Sequence, residues 1–511
     1  MGIVLGIDLG TTNSCMARVD PATGQARVLL NREGERTTPS VVAFDVSGRV
    51  TVGSAARRQA ALHPRDTIFG AKRLVGRRFA DPAVQAMRKL LPYEVAADAD
   101  GNAAVRVHGQ LKSPSEVLSH VLRYLKESAE NNLGQPVDGA VITVPAYFDE
   151  VQRQETKLAG ERAGLTVHRL LNEPTAAMLA CRVDESRAEN IAVFDLGGGT
   201  FDISLLHVEG EVVQVLATCG DNQLGGDNID ELLVDALRRI FLKQTGQDLG
   251  THPEALWRLK EASESTKRVL SEREQTALDL PYLTTTSGGE PLHLSLPSFS
   301  RTLLENLSQR ELERLRGPCE QAMRDAGLAL ADIHRVVLVG GMTRMPAVRA
   351  RAERYLGRPG ERSVNPDEAV ALGAALEADI VAGDSPAAPQ VLLLDVLSRS
   401  LGIRTEGGRF SVLIPRNTTI PTRETKVFTT TFDQQTHVDL EVYQGESPTV
   451  DGNRYLGELR LTELTPAAAG AVRVAVDFTI DADGILQVTA REPATGRKAQ
   501  ATLRPPTAAS P

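Results

Sequence analysis

The chain has 511 residues, which at about 150 residues per domain points to roughly three domain-sized units. Hydrophobic residues make up 41% and charged residues 24%, ordinary globular usage that supports packed cores and excludes a chain disordered as a whole. With 57 Lys and Arg against 66 Asp and Glu, the net charge of −9 removes any broad attraction to phosphate backbones or anionic lipid, so neither nucleic acid nor membrane is an expected partner.

The opening run, Ile3-Val4-Leu5-Gly6-Ile7-Asp8, has no basic region before it and carries an acid inside it. No stretch of about 18 apolar residues occurs, and a soluble, cytoplasmic protein is expected. Cys15, Cys181, Cys219 and Cys319 lie far apart without a C-x-x-C pair, and read as small buried hydrophobes in a reducing compartment. As far as about Ala382, short β-branched runs alternate with amphipathic segments, the pattern of an α/β architecture. Ser113-Pro114-Ser115-Glu116 supplies a capping Ser and a Pro at the first helical position, ahead of a helix with Val117, Leu118, Val121, Leu122 and Leu125 on one face. Ile191 to Phe194 and Val336 to Val339 are apolar at every position, as strands buried on both faces require.

Gly383 to Pro389 is a helix stop followed by a Pro-rich connector, and Val391-Leu392-Leu393-Leu394-Asp395 is an apolar plug expected to dock. From Val396 to about Leu503 alternation of period two replaces helical periodicity, with Val438, Leu440 and Val442 on one face and Val472, Val474, Val476, Phe478 and Ile480 in another run. Asp483-Gly484 is a hairpin turn before Ile485 to Thr489. About eight such runs predict a β-sandwich, and Arg504 to Pro511 reads as a frayed tail.

The strongest chemical signal is an internal echo. Ile7-Asp8-Leu9-Gly10-Thr11-Thr12-Asn13-Ser14 and Phe194-Asp195-Leu196-Gly197-Gly198-Gly199-Thr200-Phe201-Asp202 both read as a strand, an Asp, a Gly-containing turn with hydroxyls, and a second strand. Glycine allows a tight turn and a close approach to a ligand, so freed backbone N–H groups can cradle an anion, while an Asp at the strand end can hold hydrated Mg²⁺. Either turn alone is a tight hairpin; the pair implies two similar lobes gripping a phosphate chain. No G-x-x-x-x-G-K-[ST] is present, and neither turn opens a helix as a dinucleotide fingerprint does.

These segments, with Val336 to Pro346, Val141 to Phe148, Asn172 to Ala177 and Asn365 to Ala371, resemble the signature motifs of the heat shock protein 70 family, DnaK type, and the likeness runs to about Leu503. The resemblance implies a two-lobed actin/sugar-kinase-like ATPase domain over 1–382, a linker over 383–395, a β-sandwich peptide-binding domain over 396–504, and a disordered tail over 505–511. It implies ATP/ADP, Mg²⁺ and K⁺ as cofactors, and an ATP-dependent chaperone whose hydrolysis controls its affinity for extended, unfolded polypeptides. J-domain cochaperones, a nucleotide exchange factor and a monomeric state follow from the same likeness.

Residue by residue, the resemblance assigns Gly10, Thr11, Thr12 and Asn13 to the phosphates, facing Gly198, Gly199 and Thr200. Asp8 and Asp195 organise metal, Asp202 lies near a potassium site, and Lys72 sits by the γ-phosphate and its attacking water. Glu173 polarises that water; on local sequence alone it is a helix N-terminal carboxylate. Glu264, Lys267, Arg268 and Ser271 contact ribose and base, Gly341 and Arg344 line the other side, and Gly226 and Asp367 belong to the same nucleotide site. Met342 stands where relatives often carry Ser or Gln. Pro145 and Arg153 match switch positions, and Arg169, Asn172, Thr175 and Asp395 match positions used by J-domain partners.

In the β region, Leu401, Ile403, Phe428, Val438 and Leu440 match the family's apolar peptide pocket, whereas Glu406 and Thr431 replace two apolar positions that often arch over the peptide. The helical lid that follows the sandwich in relatives has no counterpart before the chain stops, so a short form with fast peptide exchange is expected. An actin-like ATP-binding assembly protein is the main alternative, a sugar or acetate kinase a second, and a chaperone without hydrolysis a third. Exchanging Glu406→Met is expected to move the peptide-array profile away from basic and polar segments; identical profiles would remove Glu406 from client selection.

Overall fold

The computed structural model describes residues 2–181, 187–286, 288–361, 364–383 and 391–502. The connector over 384–390 and the tail after 502 lie outside the described residues.

Two sheets of matching strand order organise the α/β part. The first runs Thr166–Asn172, Val137–Val144, Ile3–Asp8, Asn13–Val19, Ala26–Val28, and the second runs Gly360–Glu361, Arg335–Val339, Glu189–Leu196, Phe201–Glu209, Val212–Asp221. In each, the first three strands are parallel and the last three antiparallel, so the hairpin that follows each Asp occupies the same place. Ile191, Ala192, Val193 and Phe194 are fully buried, as their unbroken apolar run requires. The helix Pro114–Leu133 begins where its cap predicts: Ser113 Oγ accepts the Glu116 N–H at 3.2 Å, and left-handed Gly134 ends it.

Two helices of small residues, Glu173–Ala180 and Ala369–Ala382, tie the sheets together. Their side chains share one core with Val4 and Val141 of the first sheet and Ile191, Val193 and Val337 of the second. Alanine and glycine permit the close backbone approach, since a Cβ on Gly373 would collide with the Ala176 carbonyl and one on Gly6 with the Ala375 backbone. Larger side chains here would push the two halves apart.

The expected sandwich is present as two four-stranded sheets around a core that includes Val474, Val476, Phe478 and Ile480. Asp483-Gly484 makes the predicted turn, closed by the Gly484 N–H to the Asp481 carbonyl at 3.1 Å. That turn does more than reverse the chain. Its Asp483 carboxylate accepts the Leu170 N–H at 2.9 Å and pairs with Lys157 at 3.1 Å, and its carbonyl accepts Arg153 at 3.2 Å. The sandwich therefore sits on the first half of the α/β part.

The plug docks as expected, but its three leucines are not buried alike. Leu392–Val396 adds a parallel strand beside Val212–Asp221, with Leu393 opposite Val213. Adjacent side chains on a strand point to opposite faces. Leu393 is consequently buried, Leu394 half-buried and Leu392 54% exposed, so backbone pairing carries much of the attachment. Asp395 accepts the Thr175 hydroxyl at 3.0 Å, and Asn172 accepts Arg153 at 2.7 Å. Asn172, Thr175 and Asp395 are buried in this arrangement, and Arg169 pairs with Glu377.

Glu150 is the buried acid of this contact. Its carboxylate accepts the Leu486 N–H at 3.0 Å and Gln154 at 2.7 Å, and its own N–H donates to Gln444 at 3.1 Å. Burial pushes its carboxyl from 4.5 up to about 8, against the opposing charge of Arg153. The docked form binds that proton more tightly, so docking is fully favoured below the ordinary value of 4.5 and is lost as pH rises through about 8. Interdomain energy transfer should report a docking constant falling by up to about tenfold per pH unit within that window. Glu150→Gln should flatten the dependence; an unchanged slope would assign it to other groups.

Candidate functional site: a cleft between two glycine-rich turns

A cavity of about 680 Å³ opens where the two echoing turns face each other. Asp8, Gly10, Thr11, Thr12, Asn13, Lys72 and Glu173 line it from the first half, and Asp195, Gly198, Thr200 and Gly226 from the second. Glu264, Lys267, Arg268 and Ser271 from the helix Pro253–Glu272, with Gly341, Arg344 and Asp367, complete the set singled out in the sequence. Two expected residues do not line it. Gly199 backs the turn, where a Cβ would strike the Thr11 side chain at 2.8 Å. Asp202 pairs with Asp195 in the hairpin register and is buried, its carboxylate accepting the Tyr147 N–H at 2.9 Å.

The floor is crowded with acid. Lys72 Nζ donates to Glu173 Oε1 at 2.7 Å, with both side chains buried. A lysine from the basic pair Lys72-Arg73 is thus held inside, beside the Phe148 ring. Glu173 opens the helix Glu173–Ala180, and its neighbour Asn172 uses its amide oxygen for Arg153 instead of capping that helix. Burial, then the nearby Glu173 carboxylate, push Asp8 up to about 7 despite Lys72. Asp195 is raised by burial and by Glu173, Asp202 and Asp8, and Asp202 reaches about 7 by burial and Glu173. Such a floor favours a cation among its carboxylates. Among the described residues no three His, Cys, Asp or Glu side chains form a ready-made metal cluster. That donor set fits Mg²⁺, which keeps several waters and takes one or two carboxylates plus substrate phosphates.

The far walls are largely self-paired. Lys267 bonds Asp230 at 2.7 Å and the Gly226 carbonyl at 3.0 Å. Arg344 pairs with Asp367 at 2.6 Å, while Arg268 is mostly exposed. Gly340 turns the chain into this wall at φ 80°, where a Cβ would strike the Leu196 carbonyl. Thr37, Gly340, Arg349, Pro366 and Val370 also line the cavity and were not singled out from the sequence. Gly340, Pro366 and Val370 fall inside the recognised motifs, whereas Thr37 and Arg349 have no local signature.

Side chains also bridge the cleft between its halves. Arg57 reaches Glu261 at 2.6 Å and Glu264 at 2.7 Å, and Arg73 reaches Glu231 at 2.6 Å. Trp257, the chain's only Trp, extends from the helix Pro253–Glu272 into the core of the first half, 5.1 Å from the Phe69 ring.

The family model for Hsp70 protein matches residues 4–511. The chain belongs to the Hsp70 family. This membership makes it an ATP-dependent molecular chaperone acting on unfolded polypeptides with cochaperones, in a family whose members are ATPases that bind ATP and ADP with Mg²⁺. Among the described residues no helix is long and apolar enough to cross a membrane.

In the sandwich, Leu401, Ile403, Val438 and Leu440 are buried and belong to its core, and Phe428 is half-buried against it. Glu406 and Thr431 are exposed. Removing the Trp257 clasp is expected to release nucleotide faster, because truncating a buried Trp costs about 3 to 5 kcal/mol and part of that loss falls on the closed cleft. Stopped-flow ADP dissociation from Trp257→Ala should accelerate at least about tenfold; an unchanged rate would show that the ion pairs alone hold the cleft shut.

Proposed function

We propose that this Hsp70-family chain hydrolyses ATP in the cleft between the lobes of an actin/sugar-kinase-like domain, and that cleavage controls peptide binding in the sandwich. The observation that carries this is the buried Lys72–Glu173 pair among raised carboxyls, in a cavity lined by both turns. In this reading Gly10 to Asn13 and Gly198 to Thr200 direct backbone and hydroxyl donors at the β- and γ-phosphates. Asp8 and Asp195 would hold Mg²⁺, which when bound neutralises charge on the phosphates. Lys72 stabilises charge developing on the transferred phosphoryl group, and Glu173 orients the attacking water while keeping the ammonium in place. Glu264, Lys267, Arg268, Ser271, Gly341 and Arg344 bind the nucleoside.

Coupling would run through the contacts that join cleft and sandwich. Glu173 faces the cleft while the adjacent Asn172 holds Arg153, which in turn holds the Asp483 turn. A shift of Glu173 during hydrolysis would loosen the sandwich and its edge strand Leu392–Val396. Release of that strand would uncover Asn172, Thr175 and Asp395, which supports a J-domain partner bound there. The appended sandwich speaks against an actin-like assembly protein, and no pelleting with ATP is expected in sedimentation.

Single-turnover hydrolysis with and without peptide and a J-domain tests the proposal. Lys72→Ala should lower the rate by about a hundredfold or more, as loss of one charge-stabilising donor does, while ADP still binds. Hydrolysis at the wild-type rate in this variant would remove Lys72 from the chemistry.

A further inference from the structure

The strand Thr422–Thr429 ends one sheet of the sandwich, followed in order by Arg473–Ile480, Leu486–Arg491 and Lys498–Thr502. It pairs with Arg473–Ile480 along its whole length, and among the described residues no strand lies against its other edge. Arg423 to Val427 are all exposed, and Val427 reaches 58%. An open edge of 8 residues offers a row of backbone N–H and C=O groups to a further strand.

The register fixes which way its side chains point. Thr422 lies opposite Ile480, Glu424 opposite Phe478, Lys426 opposite Val476 and Phe428 opposite Val474. Opposed residues share a face, so Glu424 and Lys426 stand on the face that carries the core, yet both are exposed at its rim. Neither makes a hydrogen bond or ion pair with another described residue. Inward-facing charges at an open edge ordinarily keep neighbours away. Here the two have opposite signs and stand two residues apart, so the pattern is complementary to itself about a twofold axis. When two copies pair antiparallel about Thr425, each Glu424 faces Lys426 of the second copy, and each Arg423 faces Val427. Centring the pair one residue earlier sets two Glu424 side chains opposite each other, and one residue later two Lys426 side chains. Like charges directly opposed are unfavourable, so the charges select the Thr425 register.

We propose that Thr422–Thr429 is an association edge for a second copy of this chain, through which this four-stranded sheet continues into its counterpart across a twofold axis. The result is a dimer in place of the monomer that the family likeness implies. It is independent of the nucleotide reading. Phe428, a residue of the expected peptide pocket, stands at one end of the shared edge, opposite Thr422 of the second copy.

Sedimentation equilibrium of the full chain tests it. Wild type should follow a monomer–dimer equilibrium. Glu424→Lys and Lys426→Glu each create two like-charge pairs and should raise the dimer Kd at least about tenfold. The double exchange Glu424→Lys with Lys426→Glu recreates both attractive pairs and should return the Kd to within about threefold of wild type. An equimolar mixture of the two single variants, one isotopically labelled, should give mixed dimers in native mass spectrometry, because all four charges then face opposite signs. Thermal melts that match wild type exclude a folding defect. A wild type that stays monomeric at about 100 μM, where a dimer with Kd near roughly 10 μM is mostly formed, overturns the inference. So does a dimer that tolerates both single exchanges, or one that the double exchange does not restore. A monomeric wild type whose peptide affinity changes with Glu424→Lys would give the edge to an extended client and overturn it as well.

Discussion

Asp8, Glu173, Asp195 and Asp202 crowd around a single ammonium, that of Lys72. Carboxylates cannot remain ionised in such a place without cations, and burial and mutual repulsion raise three of them. The site is thus poised for positive charge before any ligand arrives. Both strand-end acids are there because two sheets with the same strand order meet over helices made of alanine and glycine. Bulkier helices would separate the turns and dilute the acid that suits the cleft to a cation.

The same packing explains how the cleft can be heard at a distance. Residues 172 and 173 lie on opposite sides of one short peptide step, the first engaged with Arg153 and the second with Lys72. Arg153 continues to the Asp483 carbonyl, and the sandwich is fastened a second time where Arg416 and Asn417 meet Asp325. Physical continuity of this kind permits coupling; its size is a free-energy difference between docked and released states. The interface suits release because it is built from buried hydrogen bonds and ion pairs, whose groups water can satisfy once the surfaces part. Glu150, raised to about 8, adds a proton to that equilibrium.

Much of this architecture is visible along the chain. The cap at Ser113, the fully apolar strand at Ile191 to Phe194, the turn at Asp483 and the period-two runs after Val396 are local consequences of propensity and patterning. The repeated Asp-turn-hydroxyl segments likewise name the two turns that line the cleft. Lys72 and Glu173 are different, because a lysine in a basic run and a glutamate before a proline have ordinary surface explanations. Only the meeting of two elements distant in sequence turns them into a buried pair. The three leucines of the linker show the reverse: composition marks the segment as one that docks, yet strand pairing decides that Leu393 is buried and Leu392 exposed.

The amino-acid sequence by itself determined the two-part architecture, the paired turns and the family, because these depend on period, glycine placement and motif order within short windows. Tertiary structure alone decided that Lys72 is paired, that Asp202 stands behind the cavity, and that Asp483 serves as a dock. Each of those depends on which distant groups share a small volume away from water, and neither desolvation nor pairing can be read until the chain has closed on itself.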